Sequence, residues 1–140
     1  MAIFVMTDAL VIVNGVTLSD HSNQITTNDE RTQVDVTAFG ATNLSYAKGL
    51  GDGSMEIVFY QDFAAGKTHA TLQPLIGSTT GVAVEVRPTS AARSATNPAA
   101  LMSSALLFTY QFLDGSINDA AQITATFQLA PGGTLTYPTA

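Results

Sequence analysis

The chain has 140 residues, with 5 Lys and Arg against 11 Asp and Glu, a net charge of −6 that argues against a nucleic-acid binder, which needs a basic patch. One domain of this length buries about two-thirds of its unfolded surface; 46% apolar residues argue against disorder, and the lack of Cys excludes disulfides and thiolate metal sites. Charged residues are only 11%, against about 25% in a typical soluble domain, which implies that other protein covers much of the surface.

Met1-Ala2-Ile3-Phe4-Val5 has no basic region, and Asp8 separates it from Ala9-Leu10-Val11-Ile12-Val13. Neither run reaches the ~20 apolar residues of a membrane span. No targeting segment is expected, and residues 1–8 read as an N-terminal arm pinned by neighbouring copies. Val11 and Val13, then Asn14-Gly15, then Val16 and Leu18 predict a hairpin, because Asn and Gly tolerate positive φ. The oxygen-rich stretch Asp20 to Glu30 reads as a polar turn. It is not a calcium loop, since Ile25 stands where the sharp turn wants Gly. Gln33 to Ala38 alternates, with Val34, Val36 and Ala38 on one face and Asp35 and Thr37 on the other.

Phe39 to Gly53 reads as a long loop carrying Phe39, Leu44, Tyr46 and Leu50 among four glycines; long loops in small domains are usually functional. Ser54 to Phe63 alternates again, with Met55, Ile57 and Phe59 opposite Glu56, Val58 and Tyr60. Thr68 to Gly77 is the one predicted helix, with Leu72, Leu75 and Ile76 as its apolar stripe, Pro74 in the first turn or at a kink, and Gly77 as its stop. Val82, Val84 and Val86 alternate with Ala83, Glu85 and Arg87 until Pro88. Thr89 to Ala100 is a second long loop. Leu106 to Phe112 reads as a central strand. Ile123, Ala125, Phe127 and Leu129 then alternate with Gln122, Thr124, Thr126 and Gln128, giving a sheet with one greasy and one uncharged polar side. Thr134 to Tyr137 adds a short last strand.

No catalytic constellation emerges. Gly66-Lys67-Thr68 lacks the earlier Gly of a phosphate loop, where Gln61 stands. No G-x-S-x-G occurs, and His21 and His69 show no tight ligand spacing. Asn43-Leu44-Ser45 is a glycosylation sequon without a secretion signal. The phenylalanines fall mostly on predicted strand or core positions, so no aromatic platform is expected.

Several stretches in order carry a resemblance. They are Val13-Asn14-Gly15-Val16-Thr17-Leu18-Ser19-Asp20-His21, Val34-Asp35-Val36-Thr37-Ala38-Phe39-Gly40 and Phe59-Tyr60-Gln61-Asp62-Phe63-Ala64-Ala65-Gly66. Ala70-Thr71-Leu72-Gln73-Pro74-Leu75-Ile76-Gly77 and Val84-Glu85-Val86-Arg87-Pro88-Thr89-Ser90 complete the set. Across residues 9–137 the chain resembles the tail tube (major tail) proteins of long-tailed phages, particularly those of actinobacteria.

That resemblance implies a mainly β single domain over 1–140, a β-sandwich or open barrel with one short helix. Its sheets would join between subunits into hexameric rings, which stack into a hollow tail tube through which genomic DNA is ejected. It implies no active site and no cofactor. The partners would be further copies, other tail proteins at the tube ends and the tape measure protein, with DNA passing unbound and no membrane involved. The chain would assemble in the host cytoplasm and reside in the virion tail.

A bore for DNA should be acidic or neutral, because each Lys or Arg on a phosphate adds affinity. Asp35, Glu56, Glu85, Gln122, Thr124 and Thr126 are therefore the lumen-facing candidates. Phe39, Leu44, Tyr46 and Leu50 are the candidates for ring-to-ring contact. The alternatives are a capsid decoration or tail adaptor protein, or a small β-sandwich that binds glycans.

Overall fold

The computed structural model describes residues 3–140. Asn14 and Gly15, with φ of 50° and 79°, turn β1 (Leu10–Val13) into β2 (Val16–Thr17) as the Asn-Gly signal predicts. A 3-10 turn, Ser19–His21, leads into β3 (Ser22–Asp35). The expected polar turn over Asp20 to Glu30 is thus mostly strand. Its Ser, Asn, Gln and Thr residues follow no apolar alternation because most of them stay exposed.

β4 (Tyr46–Tyr60) runs antiparallel to β3 along nearly its full length. The helix α1 (Thr68–Ile76), β5 (Val82–Arg87), β6 (Ala100–Thr109), β7 (Gln122–Leu129) and β8 (Leu135–Thr136) follow. The strands form one antiparallel sheet in the order β2-β1-β5-β6-β7-β4-β3, with β8 paired to β6. The fold is mainly β with one helix, as expected. The sheet curls until Ile25 of β3 lines the same hollow as Val86 of β5, leaving an open barrel.

The alternations at β1, β4, β5 and β7 select the core as predicted. Val11, Val13, Met55, Ile57, Phe59, Val84, Ile123, Ala125 and Phe127 are fully buried, joined by Met102 of β6. Each large side chain removed from water this way contributes about 1.5–3 kcal/mol.

The helix closes the greasy side through Leu72 and Leu75. Its buried stripe is completed by Thr68 and Thr71, while Ile76, expected inside, is exposed. Thr68 donates its hydroxyl to the Tyr60 carbonyl at 2.8 Å, fastening the helix start to the end of β4. Pro74 lies beyond the first turn, inside the helix, and Gly77 caps the helix C-terminus. The central strand begins at Ala100 and ends at Thr109. The predicted Leu106 to Phe112 strand is therefore displaced, and Tyr110 to Phe112 leave the sheet.

Residues 1 and 2 of the expected N-terminal arm lie outside the described residues. Residues 3–6 have no regular structure, and Asp8 bridges to Thr89 in parallel.

Candidate functional site

The expected loop over Phe39 to Gly53 is corrected by β4, which begins at Tyr46. Only Ser54 to Tyr60 of that strand pairs with β7. The stretch Tyr46–Gly53 pairs only with β3, so a two-stranded ribbon projects beyond the sheet, tipped by residues 36–45. Glycine helps explain the exposure. The core face of β4 runs Phe59, Ile57, Met55 and then Gly53 and Gly51, so the two positions beyond Met55 on that face bring no side chain to bury, and a register shift against β3 follows before Lys48. At Gly53 an added Cβ would lie 3.1 Å from Leu135 and 3.2 Å from Leu129, so the missing side chain lets both seat the ribbon base. Tyr137 donates its hydroxyl to Asp29 at 2.8 Å and ties the same base to the C-terminal segment.

All four ring-contact candidates lie on this ribbon or at its tip, and all are exposed: Phe39, Leu44, Tyr46 and Leu50, the last at 86%. Val34 and Val36, expected to face a core, are exposed beside them, since no sheet or helix covers that part of the chain.

The lumen candidates separate into three places. Glu56 and Thr126 are direct cross-strand partners, Thr124 pairs with Val58, and Gln122 pairs with Tyr60, so these four share the polar face of β4 and β7. Asp35 lies on the ribbon, nine residues along β3 from the partner of Glu56, about 30 Å away. It accepts a hydrogen bond from the Thr37 amide at 2.9 Å, which lowers its pKa.

Glu85 lies on β5 beneath the loop that follows, 7% exposed and paired with both Arg87 and Arg93. Burial alone would raise its pKa, but the bonds from Arg93 and Arg87 outweigh it and hold the carboxyl below its ordinary value. Its charge is already compensated within the subunit. Asn97, also buried, pins that loop by donating to the Ala91 carbonyl at 2.9 Å and accepting from the Thr89 amide at 3.1 Å.

Neither histidine is isolated. His21 bonds Asp20 and Asp62, both at 2.8 Å, through its two ring nitrogens. The bond to Asp20, then that to Asp62, raises the imidazole pKa against the effect of burial. His69 shares a 2.6 Å hydrogen bond with the Tyr110 hydroxyl and packs against Phe63 and Phe112 with ring centroids 5.3 and 5.5 Å away. Gln61 donates to the Phe112 carbonyl at 2.7 Å and holds this aromatic cluster in place.

This exposed cluster is what sequence reasoning missed. Most phenylalanines are expected on strand or core positions, but only Phe59, Phe108 and Phe127 lie on strands, and five of the seven (Phe4, Phe39, Phe63, Phe108 and Phe112) are exposed. Only the i, i+6 spacing of Phe63 and His69 across a turn hinted at it. Among the described residues no three His, Cys, Asp or Glu are grouped to hold a metal ion, and no helix is long and apolar enough to cross a membrane.

No family model and no curated protein matches the chain. Solved structures do match its fold. A chain of the native gene transfer agent virion superposes with a TM-score of 0.69 at 14% identity, covering 94% of this chain and 95% of that one. A chain from the tail of an empty gene transfer agent particle, determined with C6 symmetry, gives 0.60 at 14% identity over 84% and 82%. A chain of the sheath–tube complex of PVC, an extracellular contractile injection system in its extended state, gives 0.70 at 12% identity over 99% and 93%. At these identities the likeness establishes a shared fold.

Proposed function

We propose that this protein is a structural, non-enzymatic subunit of a phage or phage-like tail, assembling as hexameric rings that stack into a hollow tube for DNA. The observation that carries this reading is the fold likeness over nearly the whole chain to components of tailed particles, one of them six-fold symmetric.

Three features of the chain support it. The scarcity of charge fits a surface hidden by other copies. The 14-residue edge strand β3 leaves one row of backbone donors and acceptors unpaired, which closure of a ring would satisfy. The ribbon carries apolar side chains that its own subunit does not cover, as a contact between stacked rings requires.

The bore in this reading is lined by the polar face of β4 and β7, with Glu56, Gln122, Thr124 and Thr126. Asp35 belongs to the ring-to-ring contact, and Glu85 serves to hold the loop after β5. Other tail proteins and the tape measure protein would meet the tube ends and the bore, within a virion tail assembled in the host cytoplasm.

Negative-stain microscopy of the purified full chain tests the reading, with cylinders of stacked six-fold rings expected. A protein that stays a dispersed single copy at every concentration overturns it. Within assembled particles, Lys at positions 56, 122 and 126 together should slow DNA ejection, because cations in the bore grip phosphate. Unchanged ejection removes those residues from the bore.

A further inference from the structure

The segment that starts the free edge strand is held by side-chain bonds more than by packing. Ser22 opens β3 directly after the 3-10 turn Ser19–His21, none of whose residues is buried. The ladder to β4 slips register between Ser22 and Gln24. On one side these residues line a hollow of about 410 Å³ with Asp8, Asp20 and Asn23, so packing is open there.

What reaches across to the rest of the subunit is His21. Its Nδ1 meets Asp20 in the same turn and its Nε2 meets Asp62, 41 residues away, both at 2.8 Å. Asp62 lies between β4 and α1, and its other carboxylate oxygen accepts from the Ala64 amide at 2.9 Å. Lys67 stands 3.6 Å from Asp20. His69 offers only its amide, to the Asp62 carbonyl at 3.0 Å, and turns its ring to Tyr110. The His21 ring therefore faces two carboxylates, with Lys67 as the nearby cation and Asp8 further along the hollow.

The count of protons makes this arrangement conditional. A neutral imidazole has one N–H, and only the imidazolium can donate to two carboxylates at once. When the proton leaves, one carboxylate oxygen faces a ring lone pair at hydrogen-bond distance and must move off. Asp20 is the chain neighbour of His21, whereas Asp62 belongs to another segment and keeps its Ala64 donor. The bond between segments is therefore the one that opens.

We propose that His21 and Asp62 form a proton-operated latch on the start of β3, closed on the acid side and open once the ring is neutral. Open, Ser19 to Gln24 lose their tie to the turn between β4 and α1, and the edge that a ring neighbour would join is no longer held ready. This rests on the tube reading for what the edge joins, but not for the latch itself. The raised pKa of the ring has the matching sign: the bonds stabilise fully below the ordinary value of 6.5 and are lost as pH climbs through the higher folded value.

The test uses the full chain. In the dispersed subunit, nitrogen NMR should show two N–H protons on the His21 ring below 6.5 and the loss of one at higher pH. The His21 amide bonds the Leu18 carbonyl at 3.1 Å and the Val11 amide bonds Ser19 Oγ at 2.9 Å. Their protection from hydrogen exchange should fall over that range by up to about tenfold per pH unit. The concentration needed for tubes should rise in step, because only the closed fraction joins. His21→Gln should remove the pH step from both readouts. His21→Lys, a cation throughout, should keep the acid-side threshold at every pH. Asp62→Asn should move the step to lower pH, since a neutral amide no longer favours the imidazolium; that shift decides the matter if the Lys variant misfolds.

Protection or a tube threshold that stays level in the parent chain while the ring loses its proton overturns the latch. So does a step that survives His21→Gln, which would trace it to His69. If the parent chain forms no tubes at any pH, the tube reading falls and amide protection alone decides the latch.

Discussion

The two halves of β4 are one continuous strand with opposite fates. From Ser54 to Tyr60 the core-facing positions are Met, Ile and Phe, the strand is flanked by β3 and β7, and those three side chains are fully buried. From Tyr46 to Gly53 the same face carries Gly at positions 51 and 53, only β3 is alongside, and nearly every residue is exposed. A two-stranded ribbon is marginal in water by itself. Backbone pairing alone therefore does not explain a long projection; the body stabilises one half, and the other leaves its apolar side chains uncovered by its own subunit.

Truncating the body should cost the most. Phe127→Ala empties a site at the centre of the core and should destabilise the subunit by about 3–5 kcal/mol in urea unfolding; a loss below about 1 kcal/mol would mean the core is not cooperative. Next comes Glu85→Gln, which leaves Arg87 and Arg93 facing a neutral group. A loss of about 2–3 kcal/mol is expected, below the range for a fully buried pair because both guanidiniums reach water.

The His21 contact should be felt through pH. Its pKa is raised in the folded chain, so the stabilisation is complete below the ordinary value of 6.5 and is lost as pH rises through the higher folded value. The melting temperature of the parent chain should therefore fall relative to His21→Asn as pH climbs from 6 toward 9; parallel curves would show that the two aspartates do not hold the ring in solution. The smallest change in stability is expected on the ribbon. Leu50→Ser should shift unfolding by less than about 0.5 kcal/mol while tubes fail to elongate, and deletion of Tyr46–Gly51 should likewise leave a folded, non-elongating subunit. Normal tubes from either variant would separate the ribbon from assembly.

The body was legible in the sequence and the ribbon was not. Val11, Val13, Ile57, Phe59, Val84, Ile123 and Phe127 alternate because one side of their strands is dry, and period two records that dryness directly. In the ribbon neither face is buried, so Asn28 to Thr32 carries no such record, the alternation of Val34 and Val36 records no dry face, and the glycines at 49, 51 and 53 imitate a loop although the chain there is strand. The ring-contact candidates are exposed whether the backbone is loop or strand, because glycine neighbours leave greasy side chains without cover in either case.

How the six lumen candidates group in space was only partly legible. A sequence gives the face of a strand but not its neighbour across the sheet, so Glu85 could not be told from Glu56 before Arg93, eight residues on, folded back over it. The aromatic cluster draws Phe63, His69 and Phe112 from three segments, and no local pattern reports such a meeting.

The edge formed by β3 offers a joining neighbour a full row of amides and carbonyls, but mainly Ser, Asn, Gln and Thr beside them. A polar edge of this kind fixes register weakly, so in the ring proposed above its backbone row alone would hold a copy in register and one a step away about equally. The choice between them would then fall to side chains elsewhere on the neighbouring subunit, which makes the border adhesive and leaves the rest of the surface to set the alignment.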